Sequence, residues 1–177
     1  MKDRFDRTFD PVVEFALEEW ELGDTHGFPH WKRVERNGVL LSLQECDGGY
    51  DMADDINIDV VRLFAYLHDK CRIDDYEDLS HGERAAEMLH TIRGTLLSCL
   101  NDEEFMLLET ACRFHTTKHK TGNRTVDICF DADRLDLGRV GIAPDPRLMA
   151  TEQGAYYAQH PDAFYKLIQY YESNFAK

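Results

Sequence analysis

His68 and Asp69 close the apolar run Val60-Val61-Arg62-Leu63-Phe64-Ala65-Tyr66-Leu67. An imidazole beside a carboxylate is a costly way to end an apolar helix, because both groups resist burial without a partner. Both also bind divalent metal. The chain offers further ligand types around the doublet: His30 before it, and His81, His115 and Asp133 after it. Asp133 lies in Ile128-Cys129-Phe130-Asp131-Ala132-Asp133-Arg134-Leu135, where a carboxylate near a core face needs a cation or donors. A bound divalent ion acidifies water and polarises a phosphoryl oxygen, which is chemistry for splitting phosphate esters. Adjacent helical residues point about 100° apart, so His68 and Asp69 reach one ion only at a helix edge. Any one of these histidines, taken singly, reads better as a satisfied core or surface residue than as a ligand.

Cations gather at the same positions. Lys70 and Arg72 follow the doublet, Arg33 follows His30, and Arg134 and Arg139 follow Asp133. They suit a pocket that stabilises charge on a transferring group. Each also has a structural reading: Arg33 as a salt bridge to Asp24 or Glu35, Arg134 as a pair with Asp131 or Asp136. His26, four residues before His30, fits contact with phosphate or support of a ligand.

These residues must be held by helices. Asp10-Pro11 reads as an N-cap and first helical position, opening a helix to about Glu21. The turn at 24–29 starts a second helix carrying Val34, Val39, Leu40, Leu41 and Leu43. Gly48-Gly49 reads as a loop, and a third helix runs from about Ile58 to His68. Ser80 with Glu83 forms a capping-box pattern for a helix through Ala85, Met88, Leu89 and Ile92. Asn101 with Glu104 repeats it for a helix ending near His115. A sixth helix covers about Val126 to Leu137, with Thr125 to Phe130 able to compete as a strand. A loop from Gly138 to Arg147 borders the presumed pocket. Thr151 caps a short helix, and Pro161-Asp162 opens an aromatic-rich one to Phe175. The expected class is an all-α bundle of about six to eight helices.

Composition narrows the partners. The 177 residues suit one domain, and 43% hydrophobic content suffices for a core. A formal charge of −14 argues against a nucleic-acid duplex or an anionic membrane as partner. The five cysteines include no C-x-x-C pair and fit a reducing cytoplasm. Residues 1–7 carry no apolar signal-like run, and no stretch approaches the roughly 20 apolar residues of a membrane span.

In combination the motifs resemble a family. His26-Gly27-Phe28-Pro29-His30-Trp31-Lys32-Arg33-Val34 resembles the H-x-x-R-V opening of HD-domain phosphohydrolases. Leu67-His68-Asp69 resembles the doublet that names them, and Asp131-Ala132-Asp133-Arg134-Leu135-Asp136 their closing aspartate segment. The likeness spans about residues 24–140, followed by C-terminal helices over 151–177, as one HD domain. It implies an all-helical fold and a divalent metal on His30, His68, Asp69 and Asp133, with Asp133 chosen over Asp131. His81 and His115 match positions that ligate a second ion in binuclear branches, with Asp69 bridging. The alternative open for them is contact with substrate phosphate or metal-bound water. The glycine-tyrosine-proline signature of the cyclic-di-GMP branch is absent after His115.

The expected function is a metal-dependent phosphohydrolase on a small phosphomonoester or nucleotide. Asp69, Lys70, His81 and His115 are the expected catalytic groups, and His26, Arg33, Arg72 and Arg134 the expected substrate contacts. One or two ions of Mn, Fe, Co, Ni, Zn or Mg would serve. The alternatives are a binuclear-iron oxygenase of HD type and a nucleotide-binding regulatory module without turnover.

Overall fold

The run ending at His68 is the central helix of a bundle. In the computed structural model, which describes residues 9–174, it spans Ile58–Leu67 and is labelled α3. The Asn57 side chain caps it by accepting from Val60 N at 3.0 Å. Seven of its ten residues are buried, so it is covered on nearly all sides, as an all-round apolar helix must be. Phe64 and Leu67 are fully buried, each contributing about 1.5–3 kcal/mol of apolar transfer.

Seven further α-helices are present among the described residues. They are α1 (Asp10–Leu17), α2 (Phe28–Leu41), α4 (His81–Ile92), α5 (Asp102–Phe114), α6 (Arg124–Arg134), α7 (Glu152–Gln159) and α8 (Pro161–Asn174). The all-α expectation holds. Helices α2, α5 and α6 pack directly on α3, and α4 packs on α5. At Gly38, on α2, a Cβ would stand 2.4 Å from Val61 Cγ1, so only glycine allows the α2–α3 approach. A second, smaller apolar cluster joins Leu40, Leu43 and Met52 to Phe164 and Leu167 of α8. No described helix is long and apolar enough to cross a membrane. All five cysteines are free thiols.

Several local expectations need correction. Asp10 is the first residue of α1, not its cap. Phe9 takes the cap position, and its carbonyl accepts from Val12 N and Val13 N. The helix stops at Leu17 rather than Glu21, because Glu19 turns the chain with a φ of 55°. Trp20 is thereby set edge-on against Trp31 at 5.0 Å.

The Gly48-Gly49 segment is not a plain loop. It closes an antiparallel hairpin of β1 (Leu43–Cys46) and β2 (Gly49–Met52), with Leu43 opposite Met52. Leu43 therefore belongs to a strand. Gly48 takes a φ of 101°, which suits the turn.

Ser80 does not form a capping box. Its backbone is already helical (φ −97°, ψ 0°), and Glu83 is drawn instead to Arg113 at 2.7 Å. The Asn101 box does form, in both directions. Residues 125–130 are helical in α6, behind an Asn123 cap. The expected loop 138–147 contains a 3-10 turn, Leu137–Val140, and a second turn follows at Pro146–Leu148. The expected helix end at Phe175 and the segment 1–7 lie outside the described residues.

Candidate metal centre

One end of the bundle gathers the polar residues. The C-terminal ends of α3, α5 and α6 meet the N-terminal turns of α2 and α4 there. His68 and His115 are the C-cap residues of α3 and α5, and Asp133 lies in the last turn of α6. His30 lies in the first turn of α2, and His81 opens α4. Backbone carbonyls beside these helix termini have acceptor capacity to spare, and the histidine rings use it.

Each imidazole commits its Nδ1–H to an oxygen that can only accept. His68 Nδ1 donates to the carbonyls of Phe64 (3.1 Å) and Ala65 (3.2 Å). His115 Nδ1 donates to the carbonyl of Cys112 at 2.8 Å, and His81 Nδ1 to that of Asp78. His30 Nδ1 donates to the Asp136 carboxylate at 2.7 Å. In the neutral ring the other nitrogen, Nε2, then carries a bare lone pair.

Those four lone pairs converge. His30 Nε2 stands 3.3 Å from His68 Nε2, and His81 Nε2 stands 2.8 Å from His115 Nε2. Neither pair has a proton left to share in the neutral tautomers, so each needs a positive charge between its nitrogens. Asp69 lies between the pairs. Its Oδ2 is 3.5 Å from His30 Nε2 and 3.4 Å from His68 Nε2, while its Oδ1 is 3.1 Å from His81 Nε2 and 4.0 Å from His115 Nε2. Asp133 Oδ1 joins the first pair, at 3.4 Å from His30 and 4.0 Å from His68.

Three overlapping groups result: His30, His68 and Asp69; His68, His115 and Asp133; and Asp69, His81 and His115. In each, the ligand atoms lie within 4.8 Å of one another. These buried His and Asp groups could hold a metal ion. Four imidazole nitrogens with carboxylate oxygens are a donor set suited to first-row divalent metals.

The electrostatics agree with a cation site. Burial alone would push the Asp69 carboxyl up, but His68, His30 and His81 around it hold it well below the usual carboxylate range. His68, His30 and His115 hold Asp133 down against its burial. Burial and the neighbouring His68 push His115 down to about 3, so that ring is neutral at pH 7. For His30, burial works downward, yet Asp136 and Asp69 outweigh it and raise the ring.

All six expected ligands therefore come together. The other expected residues divide. Arg72 is at the centre, with a guanidinium nitrogen 3.5 Å from Asp69 Oδ1 and 3.3 Å from His81 Nε2. His26 stands beside His30, its ring centroid 6.3 Å away, and Asp75 Oδ1 holds its Nδ1 at 2.9 Å.

Lys70 is not at the centre. The chain has left the helix there, and its ammonium donates to the Glu18 carbonyl and lies over the Phe15 ring. Arg33 is spent on Asp136, donating from Nε at 2.7 Å, rather than on Asp24 or Glu35. Arg134 donates to the carbonyls of Lys118, His119 and Leu148 and pairs with Asp131, so it ties the chain together. Asp131 itself accepts from Ala150 N and from the backbone and hydroxyl of Thr151, which removes it from the ligand set.

Two residues had escaped the sequence. Asp136 orients His30, and its three-residue stride from Asp133 would place both carboxylates on one side of a helix end. Lys118 is the other. A cavity of about 450 Å³ is walled in part by His115, Thr117, Lys118, Asp133, Leu148 and Met149. It gives the centre an opening beside Asp133, whose side chain is 18% exposed, while those of His30, His68 and His115 are closed off.

Comparison with known proteins adds no relative: the chain matches no family model, no curated protein and no solved structure.

Proposed function

We propose that this chain is a metal-dependent phosphohydrolase acting on a small phosphate ester, with a nucleotide among the candidates. The observation that carries the reading is the convergence of four Nε2 lone pairs on Asp69 and Asp133, each ring fixed through its Nδ1–H. The resemblance of the His30, His68-Asp69 and Asp133 segments to HD-domain phosphohydrolases supports it. His30, His68, Asp69 and Asp133 would hold one ion, and His81 and His115 with Asp69 a second. A bound divalent ion supplies acidified water and a Lewis acid for a phosphoryl oxygen.

The chain's own groups do the rest. Asp69 divides its two oxygens between the two halves of the centre. Substrate would enter through the cavity beside Asp133, and the exposed Lys118 at its wall, whose ammonium rests over the Phe114 ring at 3.7 Å, would swing off that ring to meet the anion. Leu148 and Met149 give that wall an apolar portion for the body of the ester. Lys118 thus takes the role that the sequence suggested for Arg33 and Arg134.

A second reading, a di-iron oxygenase, draws on the same feature: Asp69 turns one oxygen to each of two donor sets, which would suit a pair of irons as well as a hydrolytic pair. Oxygen consumption by the iron-loaded protein would separate the two.

The test is metal analysis of the purified protein, followed by a screen of phosphomonoesters and nucleotides with Mn, Co, Ni, Zn and Mg. Hydrolysis that depends on added metal is expected, and Asp69→Ala should lose both metal and turnover. Metal content unchanged in Asp69→Ala would overturn the site assignment.

A further inference from the structure

The half of the centre formed by Asp69 Oδ1, His81 and His115 already contains a positive charge. One guanidinium nitrogen of Arg72 lies 3.5 Å from Asp69 Oδ1 and 3.3 Å from His81 Nε2. The same nitrogen lies 3.2 Å from His81 Nδ1, but Nδ1 donates its N–H to the Asp78 carbonyl, so Nε2 is the ring nitrogen left to accept from Arg72. Arg72 is held in this place. It donates from its second terminal nitrogen to the Tyr76 carbonyl at 2.7 Å and from Nε to the Asp74 carbonyl at 3.2 Å, and its side chain is 8% exposed.

The other half differs. Its nearest arginine, Arg139, reaches only Asp133, at 3.9 Å, and touches neither His30 nor His68. The Arg139 guanidinium is turned instead to the carbonyls of Thr25 and Asp136. Among the described residues, no Lys or Arg side chain is paired with the His30 or His68 ring nitrogens.

We infer that Arg72 is a built-in counter-cation for the second half of the centre, and that a second metal ion must compete with it for Asp69 Oδ1 and His81 Nε2. The centre then takes one ion tightly, at His30, His68, Asp69 and Asp133, and a second weakly, at Asp69, His81 and His115. This rests on the metal-centre reading above and adds the order and inequality of filling. A guanidinium cannot be deprotonated to make room, so the two cations repel at short range in a site shielded from water.

The experiment is equilibrium dialysis of the full chain against Mn(II), with bound metal counted by mass spectrometry and coupled Mn pairs followed by electron paramagnetic resonance. Wild type, Arg72→Met and Arg72→Lys are compared, with circular dichroism and thermal melting as checks on folding. Wild type should bind one ion well before the second. Arg72→Met should tighten the second ion about tenfold or more and yield the coupled signal at lower Mn(II). Arg72→Lys keeps the charge but not the planar hold on the Asp74 and Tyr76 carbonyls, and should stay close to wild type. Equal affinity for two ions in wild type, or an unchanged second ion in folded Arg72→Met, would overturn the inference while leaving the metal centre intact. Tightening in Arg72→Lys equal to that in Arg72→Met would also overturn it, because loop release and not charge would then be the cause. Absence of any bound ion in wild type would instead overturn the proposed function.

Discussion

Asp136 offers the sharpest test of how the centre is held. Its Oδ2 accepts from His30 Nδ1 at 2.7 Å, and its Oδ1 accepts from Arg33 Nε at 2.7 Å. Truncation in Asp136→Ala leaves a fully buried ring free to turn and a buried N–H without an acceptor. Carboxylates that orient metal-binding histidines are worth about 10–100-fold in metal affinity, or about 1.4–2.8 kcal/mol. Asp136→Asn presents an amide oxygen in the same place but no charge. Charge-assisted hydrogen bonds are about twice as strong as neutral ones, so Asn should retain about half of this free energy and cost about tenfold or less. The orphaned donor in Asp136→Ala also destabilises the fold without metal, by about 1–3 kcal/mol, or about 2–4 °C in Tm per kcal/mol at this size. The assay is competition for Mn(II) against a fluorescent chelator, beside melting curves of the metal-free proteins. A folded Asp136→Ala with wild-type affinity would refute the reasoning, as would Asp136→Asn binding as weakly as Asp136→Ala.

Two further predictions concern the frame around the centre. At Gly82 a Cβ would lie 2.6 Å from the Cys112 carbonyl and 3.2 Å from His115 Cε1. Gly82→Ala should therefore cost about 1–3 kcal/mol in overpacking and regain about 1 from helix propensity. A net fall in Tm is expected, and a rise would show that α4 and α5 are not in close approach. Glu35 is buried, which alone would raise its carboxyl, but the Tyr66 hydroxyl, Arg62 and Lys32 outweigh burial and hold it low. Its contribution is present above the unfolded value of about 4.3 and is lost as pH falls through the lower folded value. Glu35→Gln should melt below wild type at pH 7, with the gap closing in acid; a gap independent of pH would refute the ionic account.

The candidate ligands were legible because they break a pattern. His68-Asp69 and Asp133 are polar groups set against apolar stretches, and His30, His81 and His115 sit where helices begin or end. Their supports carry no such mark. The link between His30 and Asp136 spans 106 positions, and in sequence Asp136 is one more acid at a helix end. The orienting carbonyls of Phe64, Asp78 and Cys112 have no side-chain signature at all. The hairpin hid because Gln44, Glu45 and Cys46 are all exposed and show no alternation. Asp47-Gly48 between its strands was the available signal, since that dipeptide favours a tight turn. Arg33, Lys70 and Arg134 were misplaced for the opposite reason. Charge beside a motif says nothing of which acceptor a long side chain will reach, and carbonyls and Asp136 claimed them first.

The choice of acceptors for the four rings has a genetic consequence. Three of the histidines are aimed by main-chain oxygen, at the Phe64, Ala65, Asp78 and Cys112 carbonyls, and one by a side chain. A change of codon can erase a carboxylate but cannot erase a carbonyl. The aim of His68, His81 and His115 is therefore written in helix geometry and is sheltered from most single substitutions. The aim of His30 hangs on one codon. A saturation scan read out by metal retention, counting only folded variants, should find apolar replacements tolerated at Phe64 and Cys112, which packing alone constrains, and almost none at Asp136.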